Sequence, residues 1–188
     1  MVPYSELVLP ILLAAALVFV ASALIHTAIK WHNADYKKLP DEEAVRAAIR
    51  KGSPGPGEYL VPHCLEGAEA RTPEMQKKFE EGPVGTIWLK APGPIQLGPF
   101  LGKWFVYVLV VSAVVAYLAH AVMPANPPYL FVFRVTGTTA WLAYSWQGPG
   151  DSIWKGRPWS ATLKYLLDGL IYACLTAGSF AWLWPGRV

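Results

Sequence analysis

The chain has 188 residues, of which 54% are hydrophobic and only 15% are charged, and its net charge is +3. Soluble domains carry about 25% charged residues, so this composition indicates a membrane protein. The small net charge, without a basic stripe among aromatic residues, excludes nucleic acid as a partner. The two cysteines, Cys64 and Cys174, belong to no CxxC or Cys/His spacing and indicate nothing about a redox compartment.

The first apolar run, residues 5–29, exceeds the roughly 20 residues that a membrane-spanning helix needs. Within it, Ala21, Ser22 and Ala23 have the small side chains of a signal-peptide cleavage site. A signal peptide also needs a basic region before the apolar run, whereas here Glu6 comes first and the positive charges follow. The pattern predicts an uncleaved first transmembrane helix.

Residues 30–102 form the one large polar segment of the chain. A helix is predicted over 40–51, because proline and acids open that stretch and basic residues and glycine close it. A second, short helix is predicted over 73–81, and two strands about a Pro-Gly turn over 84–98. So many prolines and glycines leave only a small core. We therefore expect the segment to rest on the membrane surface or on a partner.

Three further apolar runs follow, at 103–123, 129–146 and 160–184. Between the last two, residues 147–159 predict a short hairpin at the cytoplasmic interface of the membrane. The predicted fold is an all-α membrane protein of four transmembrane helices. A small α+β cytoplasmic segment is expected between helices 1 and 2.

The orientation is predicted from the basic residues, which concentrate on the cytoplasmic side of membranes. With the N-terminus outside, the opposite side of the membrane receives Lys30, Lys37, Lys38, Lys103, Lys155, Arg157 and Lys164. Only Arg187 then remains on the outer side. We therefore expect both termini outside and the polar segment and the hairpin in the cytoplasm.

Three polar side chains are expected at similar depth near the outer ends of the helices: Glu6, His120 and Arg134. Charged residues at membrane depth usually face the bundle interior or a cavity. Arg134 is expected to extend outward to the interface or to pair with Glu6 as a structural contact. An ion pathway would need further polar groups across the membrane midplane.

A second polar set is expected near the inner ends of the helices. Asp168 lies about two turns into the fourth helix with Lys164 one turn before it, so the two are expected to pair locally. His26 comes near the same level. Asp168 is either a buried structural tie or a proton-binding or substrate-contacting carboxylate. It borders a ridge of small residues that lets another helix approach closely, formed by Gly169, Ala173 and Ala177.

The histidines do not predict a cofactor. His26 and His120 end near opposite faces of the membrane, so they cannot both ligate one haem iron. A metal site built from His26, His32, His63 and Cys64 fits no known ligand spacing. No cofactor and no metal are predicted.

The stretch from residue 147 to residue 164 holds the densest polar groups near the apolar runs. Gly148, Pro149 and Gly150 are expected to stop the third helix. Basic side chains beyond them lie at the level of lipid phosphates, and tryptophans there act as interface anchors. Candidate contacts to a headgroup or a partner are Asp151, Trp154, Lys155, Arg157 and Trp159.

Several phrases of the sequence are distinctive: YLVPHC, EGPVG, FRVTGTTAWLAY, GDSIWKGRPW and DGLIYACLTAGSFAWLWP. They resemble phrases in a group of functionally uncharacterised, small polytopic proteins of the bacterial inner membrane. The resemblance covers most of the chain from about Lys37 onward. It implies a multi-pass protein of the bacterial inner membrane, and it carries over no activity, cofactor or catalytic residue.

No catalytic motif stands out, so the leading expectation is a non-catalytic small subunit or adaptor of a larger membrane complex. Its partners would be membrane lipids and either other proteins or further copies of the chain. Two alternatives remain open. One is an interfacial enzyme or binding protein that handles a lipid or phosphate headgroup with residues 151–168. The other is an oligomeric small transporter.

Overall fold

The structure, a computed structural model, describes residues 2–124 and 126–186; Arg187, on which the orientation prediction draws, lies outside them. The fold is mostly helical, with two strands. In chain order its elements are α1 (Val8–Leu24), α2 (Glu42–Gly52), β1 (Gly57–Val61), α3 (Gly67–Ala70), α4 (Pro73–Glu81), β2 (Gly85–Leu89), α5 (Leu97–Val122), α6 (Tyr129–Ser145), α7 (Gln147–Lys155) and α8 (Trp159–Trp182).

The chain divides into two compact units. The first, here called the bundle unit, consists of Met1–Asp35, Gln96–Gly150 and Pro158–Val188. The second, here called the polar unit, consists of Tyr36–Ile95 and Asp151–Arg157. The polar unit thus combines most of the segment between the first two long helices with seven residues that precede α8.

The bundle unit consists of the long helices α1, α5, α6 and α8, which pack against one another around an apolar core. A turn of 3-10 helix over Tyr4–Leu7 leads into α1, and a π-helical turn over Ile25–Ile29 follows it. The largest fully buried apolar side chains come from all four helices or the turns that flank them: Leu7, Val18, Val108, Val132 and Phe180.

Small residues bring α6 and α8 close together. A Cβ atom added at Gly169 of α8 would overlap the side chain of Ser145 on α6. One added at Gly137 of α6 would lie 3.1 Å from the Cβ of Ala177 and 3.8 Å from the carbonyl oxygen of Ala173. The ridge predicted on α8 is therefore covered by α6 of the same chain.

Two helical stretches among the described residues are long and apolar enough to cross a membrane, Tyr4–Ile29 and Leu97–Val122, whereas four were predicted. Helix α6 has 17 residues, about three fewer than a span ordinarily needs. Helix α8 carries Lys164 and Asp168 in its first half. Buried core helices and signal sequences can be as long and as apolar as these two stretches, so length and composition alone do not establish a membrane span.

The strands of the polar unit pair differently from the predicted hairpin over 84–98. The sheet has two antiparallel strands, β1 and β2, with Tyr59 opposite Ile87 at its centre. Only the first half of the predicted hairpin is a strand, because Pro92 and Pro94 cannot donate to a ladder. The rest leads into α5, which begins at Leu97 rather than at 103.

The predicted interfacial hairpin over 147–159 is instead largely helical. Helix α6 ends at Ser145, and α7 begins two residues later at Gln147. Pro149 does not break α7 because it lies in the first turn, where a backbone N–H has no partner within the helix. Helix α2 also starts slightly later than predicted, since Asp41 caps it by accepting a hydrogen bond from the amide of Ala44 at 3.1 Å.

Candidate functional site

A buried network of ionisable side chains lies where the end of the first long helix meets α8. Nε2 of His32 is 2.7 Å from Oδ2 of Asp168, and Nδ1 of His32 is 2.9 Å from Oδ2 of Asp35. The ammonium group of Lys164 donates to Oδ1 of Asp35 at 2.6 Å. His32 is 5% exposed and Asp168 is 2% exposed. These four residues are called the inner network below.

The backbone after α1 positions the first half of the inner network. Lys30 follows the π-helical turn and takes a left-handed conformation with φ of 55°. Its amide donates to the carbonyl of Ile25. The chain then enters a turn of 3-10 helix over Trp31–Asp35. Residues three apart lie on the same face of a 3-10 helix, so His32 and Asp35 meet directly. Interrupted helix ends of this kind often mark functional sites.

The hydrogen bonds of His32 constrain where protons lie. A neutral imidazole has one N–H, and an ionised carboxylate has none. Both ring nitrogens of His32 face carboxylate oxygens, so both hydrogen bonds exist only with one further proton on the ring or on a carboxylate. An imidazolium ring together with Lys164 balances the two aspartates, which suits charges that are this deeply buried.

Lys164 supports the network from its edge. Its ammonium group also donates to the carbonyl oxygen of Trp31 at 2.9 Å, so it is held by two acceptors of the same turn. The hydrogen bond from Lys164 holds the pKa of Asp35 below its usual range, although burial of the carboxylate works in the opposite direction. Asp35 is therefore ionised at neutral pH.

The predicted local pair of Lys164 with Asp168 does not form. Lys164 bonds to Asp35 instead, and Asp168 bonds to His32. A lysine one turn before an acid is the less favourable order for such a helical pair, because it opposes the helix dipole. Sequence reasoning placed His32 just outside the apolar runs and missed Asp35. The three-residue spacing of these two side chains was the signal available.

His26 lies beside the inner network and completes a group that could hold a metal. Its ring stacks on that of His32 with centroids 5.1 Å apart. Its Nδ1 lies 2.9 Å from the carbonyl oxygen of Ser22. One potential ligand atom from each of His26, His32 and Asp168 lies within 4.8 Å of the others. Of the four residues whose spacing did not predict a metal site, His63 and Cys64 lie in the polar unit.

Of the two arrangements expected for Arg134, extension to the interface or a pair with Glu6, the described residues do not form the pair. Arg134 and Glu6, both described, are exposed and no salt bridge joins them. Nδ1 of His120 lies 2.7 Å from the carbonyl oxygen of Val2, and its ring meets that of Tyr4 edge-on. Arg134 lines a mainly apolar groove between α6 and α8 together with Gly137, Ala173 and Cys174.

The candidate contacts around residues 151–159 divide between the two units. Within the polar unit, Nζ of Lys155 lies 3.2 Å from Oε1 of Glu58 and 3.7 Å from Oδ1 of Asp151, and 5.3 Å from the ring centroid of Trp88. Sequence reasoning missed Glu58 and Trp88, which lie on the paired strands. Trp154 is 86% exposed. Arg157 also belongs to the polar unit, whereas Trp159 starts α8 in the bundle unit.

The polar unit has a cavity of about 500 Å³, lined by Leu60, Cys64, Phe79, Val84 and Trp154 among others. Backbone groups, Thr86 and Lys155 make its lining more polar than apolar. The only buried hydrophobic residue described in this unit is Met75. Helix α2 contributes no buried residue at all. Large apolar side chains are instead exposed, namely Tyr36, Leu65, Val84, Trp88, Ile95 and Trp154.

Comparisons of the chain with protein-family models, with curated proteins and with solved structures found no match. The resemblance to small polytopic proteins of the bacterial inner membrane therefore stays a prediction. Two features of the described residues bear on function: the inner network of the bundle unit and the exposed apolar surface of the polar unit.

Proposed function

We propose that the protein is a membrane-anchored, non-catalytic subunit or adaptor whose polar unit binds another protein. The bundle unit supplies the anchor, with four helices crossing the bilayer. The polar unit supplies the binding surface. The observation that carries the proposal is that the polar unit exposes an amphipathic helix and several large apolar side chains while burying almost nothing of its own.

The side-chain distribution of the bundle unit supports the anchor. Its helices point large apolar side chains outward, including Leu9, Val20, Val106, Val110 and Leu163. They bury hydroxyl groups, as at Thr136 and Thr176, where each hydroxyl donates to a carbonyl of its own helix. In water the opposite distribution is favoured. In lipid the apolar exterior is compatible with the solvent and the polar groups must find partners inside.

The proposed location is the bacterial inner membrane, with both termini outside and the polar unit in the cytoplasm. The unequal distribution of basic residues supports this orientation. Lys155 and Arg157 belong to the polar unit, and Lys30 and Lys164 lie at helix ends of the bundle unit on the same predicted side. The inner network then lies at the cytoplasmic end of the bundle.

Helix α2 is the best candidate for the docking element. It has 11 residues, and isolated helices of that length are marginal in water. Val45 and Ile49 stand one turn apart and form an apolar stripe with Ala48, in which Val45 and Ala48 are exposed and Ile49 is half-buried. An amphipathic helix of this kind inserts its apolar stripe into a groove of a partner protein.

The charge of the polar unit favours a protein over a lipid surface as the occupant. It carries eleven Lys and Arg side chains against ten Asp and Glu side chains. Binding to anionic lipid relies on clusters of positive charge, whereas mixed charges around apolar groups are typical of the rim of a protein interface. Lys155, a candidate headgroup contact, already pairs with Glu58 and Asp151.

The proposal is tested by purification of the full chain from native membranes in a mild detergent, followed by native mass determination. We expect a stoichiometric protein partner with the unaltered chain. Ile49→Asp places a charge in the apolar stripe and should lose that partner. Ala47→Asp, on the opposite side of the same helix, is the matched control and should keep it.

Circular dichroism of the two variants should agree, because neither position is buried in the chain. A lone monomer or a homo-oligomer from the unaltered chain would contradict the proposal. Equal partner recovery with Ile49→Asp and Ala47→Asp would also contradict it, since the apolar stripe of α2 would then play no part. A single retained phospholipid without a protein partner would favour the headgroup alternative.

A further inference from the structure

We propose that His26, His32 and Asp168 bind a divalent transition-metal ion. The three residues come from three separate elements, the π-helical turn, the 3-10 turn and α8. One potential ligand atom from each lies within 4.8 Å of the other two. Two imidazoles and one carboxylate form the ligand set of open zinc sites and of many iron(II) sites.

The hydrogen bond of His26 uses Nδ1 and leaves Nε2 as the nitrogen that can bind a metal. A carbonyl oxygen can only accept, so Nδ1 of His26 must donate to the carbonyl of Ser22 at 2.9 Å. In the neutral ring, Nε2 of His26 is then the nitrogen that carries the lone pair. Metal-binding histidines are ordinarily fixed in this way, with the second ring nitrogen donating to a carbonyl or a carboxylate.

His32 has the corresponding outer partner. Its Nδ1 lies 2.9 Å from Oδ2 of Asp35, an arrangement of carboxylate, histidine and metal that recurs in zinc proteins. Lys164 donates to Oδ1 of Asp35 at 2.6 Å and fixes that carboxylate in turn. Nε2 of His32 is directed toward Asp168, the third proposed ligand, and the proton of this hydrogen bond is released when the metal binds.

Asp168 has a second carboxylate oxygen beside the one that bonds to His32. Its Oδ1 atom is buried and has no hydrogen-bond partner among the described residues. A buried carboxylate oxygen without a donor is costly, because it has lost its water and gained nothing in exchange. A metal ion at this position would be ligated by Asp168 and would compensate that loss.

The side-chain movements that a metal requires are small. Bonds of about 2.0–2.1 Å in tetrahedral geometry separate ligand atoms by about 3.3 Å. Nε2 of His32 and Oδ2 of Asp168 are 2.7 Å apart, so they must open by about 0.6 Å. The ligand atoms all lie within 4.8 Å of one another, so none of these separations must shorten by more than about 1.5 Å, within reach of a rotation of the exposed His26 ring.

Three protein ligands leave one coordination position for water or for a group supplied by another molecule. His26 is exposed while His32 and Asp168 are buried, so the ion would enter from the His26 side. The metal would then join His32 and Asp168 in place of their hydrogen bond and would connect His26 to both.

The test uses the full chain in detergent, purified without a histidine tag and stripped with a chelator, and Zn²⁺ and Co²⁺ as probes. We expect one Zn²⁺ per chain and intense visible absorption of four-coordinate Co²⁺. His26→Ala should weaken Co²⁺ binding at least about tenfold, the lower end of the effect of disturbing even an outer partner. His63→Ala, an exposed histidine of the polar unit, is the matched control and should bind as the unaltered chain does.

His26 takes no part in the ion pairs of the inner network, so His26→Ala should keep the thermal stability of the metal-free chain. Equal Co²⁺ affinity of His26→Ala and the unaltered chain would overturn the proposal. Absence of the four-coordinate spectrum at micromolar Co²⁺ would overturn it as well. Loss of binding with His63→Ala alone would place the ion in the polar unit and also reject the site.

Discussion

The bundle unit and the polar unit of this chain differ in what they bury. The bundle unit has a continuous apolar core, close helix packing at Gly169 and an internal network of four ionisable side chains. The polar unit has a two-stranded sheet, short helices and Met75 as its one described buried hydrophobic residue. The bundle unit can be stable by its own contacts, whereas the polar unit has little to offset the entropy of folding.

This difference indicates that function is connected with buried charges in the bundle unit and with exposed apolar side chains in the polar unit. Buried charges are costly unless paired, so the inner network has to be explained by stability or by a ligand. Exposed apolar side chains on a small unit have to be explained by a partner.

The largest effect is expected from Asp168→Ala. The substitution leaves His32 without its second carboxylate at a buried site, which costs about 3–5 kcal/mol for a broken buried pair. Thermal unfolding in detergent, followed by tryptophan fluorescence, measures the loss. Asp151→Ala is the control in the polar unit, where a partly exposed pair is worth about 1 kcal/mol or less. Equal stability of the two variants would contradict the role of the inner network.

A smaller effect is expected where α6 and α8 pack most closely. Gly169→Ala places a methyl group against the side chain of Ser145 and should destabilise the bundle by about 1–3 kcal/mol. Gly178→Ala, on the same helix, meets no atom within 4 Å and should be neutral or slightly stabilising. Both are measured by the same thermal unfolding. A Gly169→Ala variant as stable as Gly178→Ala would show that the two helices are not in close contact there.

The smallest effect is expected in the pH dependence of stability. The folded pKa of Asp35 is below its ordinary value of 3.8, mainly because of Lys164. Its contribution is therefore complete well above pH 3.8 and is lost as the pH falls through the folded pKa. Lys164→Met removes the main cause of the shift. We expect the midpoint of unfolding to fall less steeply between about pH 5 and pH 3 in Lys164→Met than in the unaltered chain. Parallel pH profiles would contradict this assignment.

The sequence predicted the helical class and the approximate positions of the long helices, because apolar runs of that length are strong signals. The short helix predicted over 73–81 is α4, which Thr72 caps by accepting a hydrogen bond from the amide of Met75. The partner of the strand at Gly85–Leu89 was not predictable from its neighbours. Gly57–Val61 pairs with it although α3 and α4 lie between the two strands in the sequence, and only tertiary structure brings them together.

The candidate site was predicted only in part. Asp168 and His26 were placed at one level by counting helical turns, and the structure brings both to His32. Asp35 was missed because a 3-10 turn after a π-helical turn has no hydrophobic period that a sequence reveals. The three proposed metal ligands also match no spacing rule, since His26 and His32 lie six residues apart and Asp168 comes from α8. Such sites become visible only when the packing of helices is known.

The most direct test of the difference between the units is hydrogen exchange measured by mass spectrometry, in native membranes and on the purified chain. In the bundle unit, amides of α8 should be protected in both preparations, because their protection comes from contacts within the chain. In the polar unit, amides of α2 should exchange rapidly in the purified chain and at least about tenfold more slowly in membranes, where a partner is bound. Protection of α2 equal to that of α8 in the purified chain, or rapid exchange of α2 in both preparations, would contradict the account.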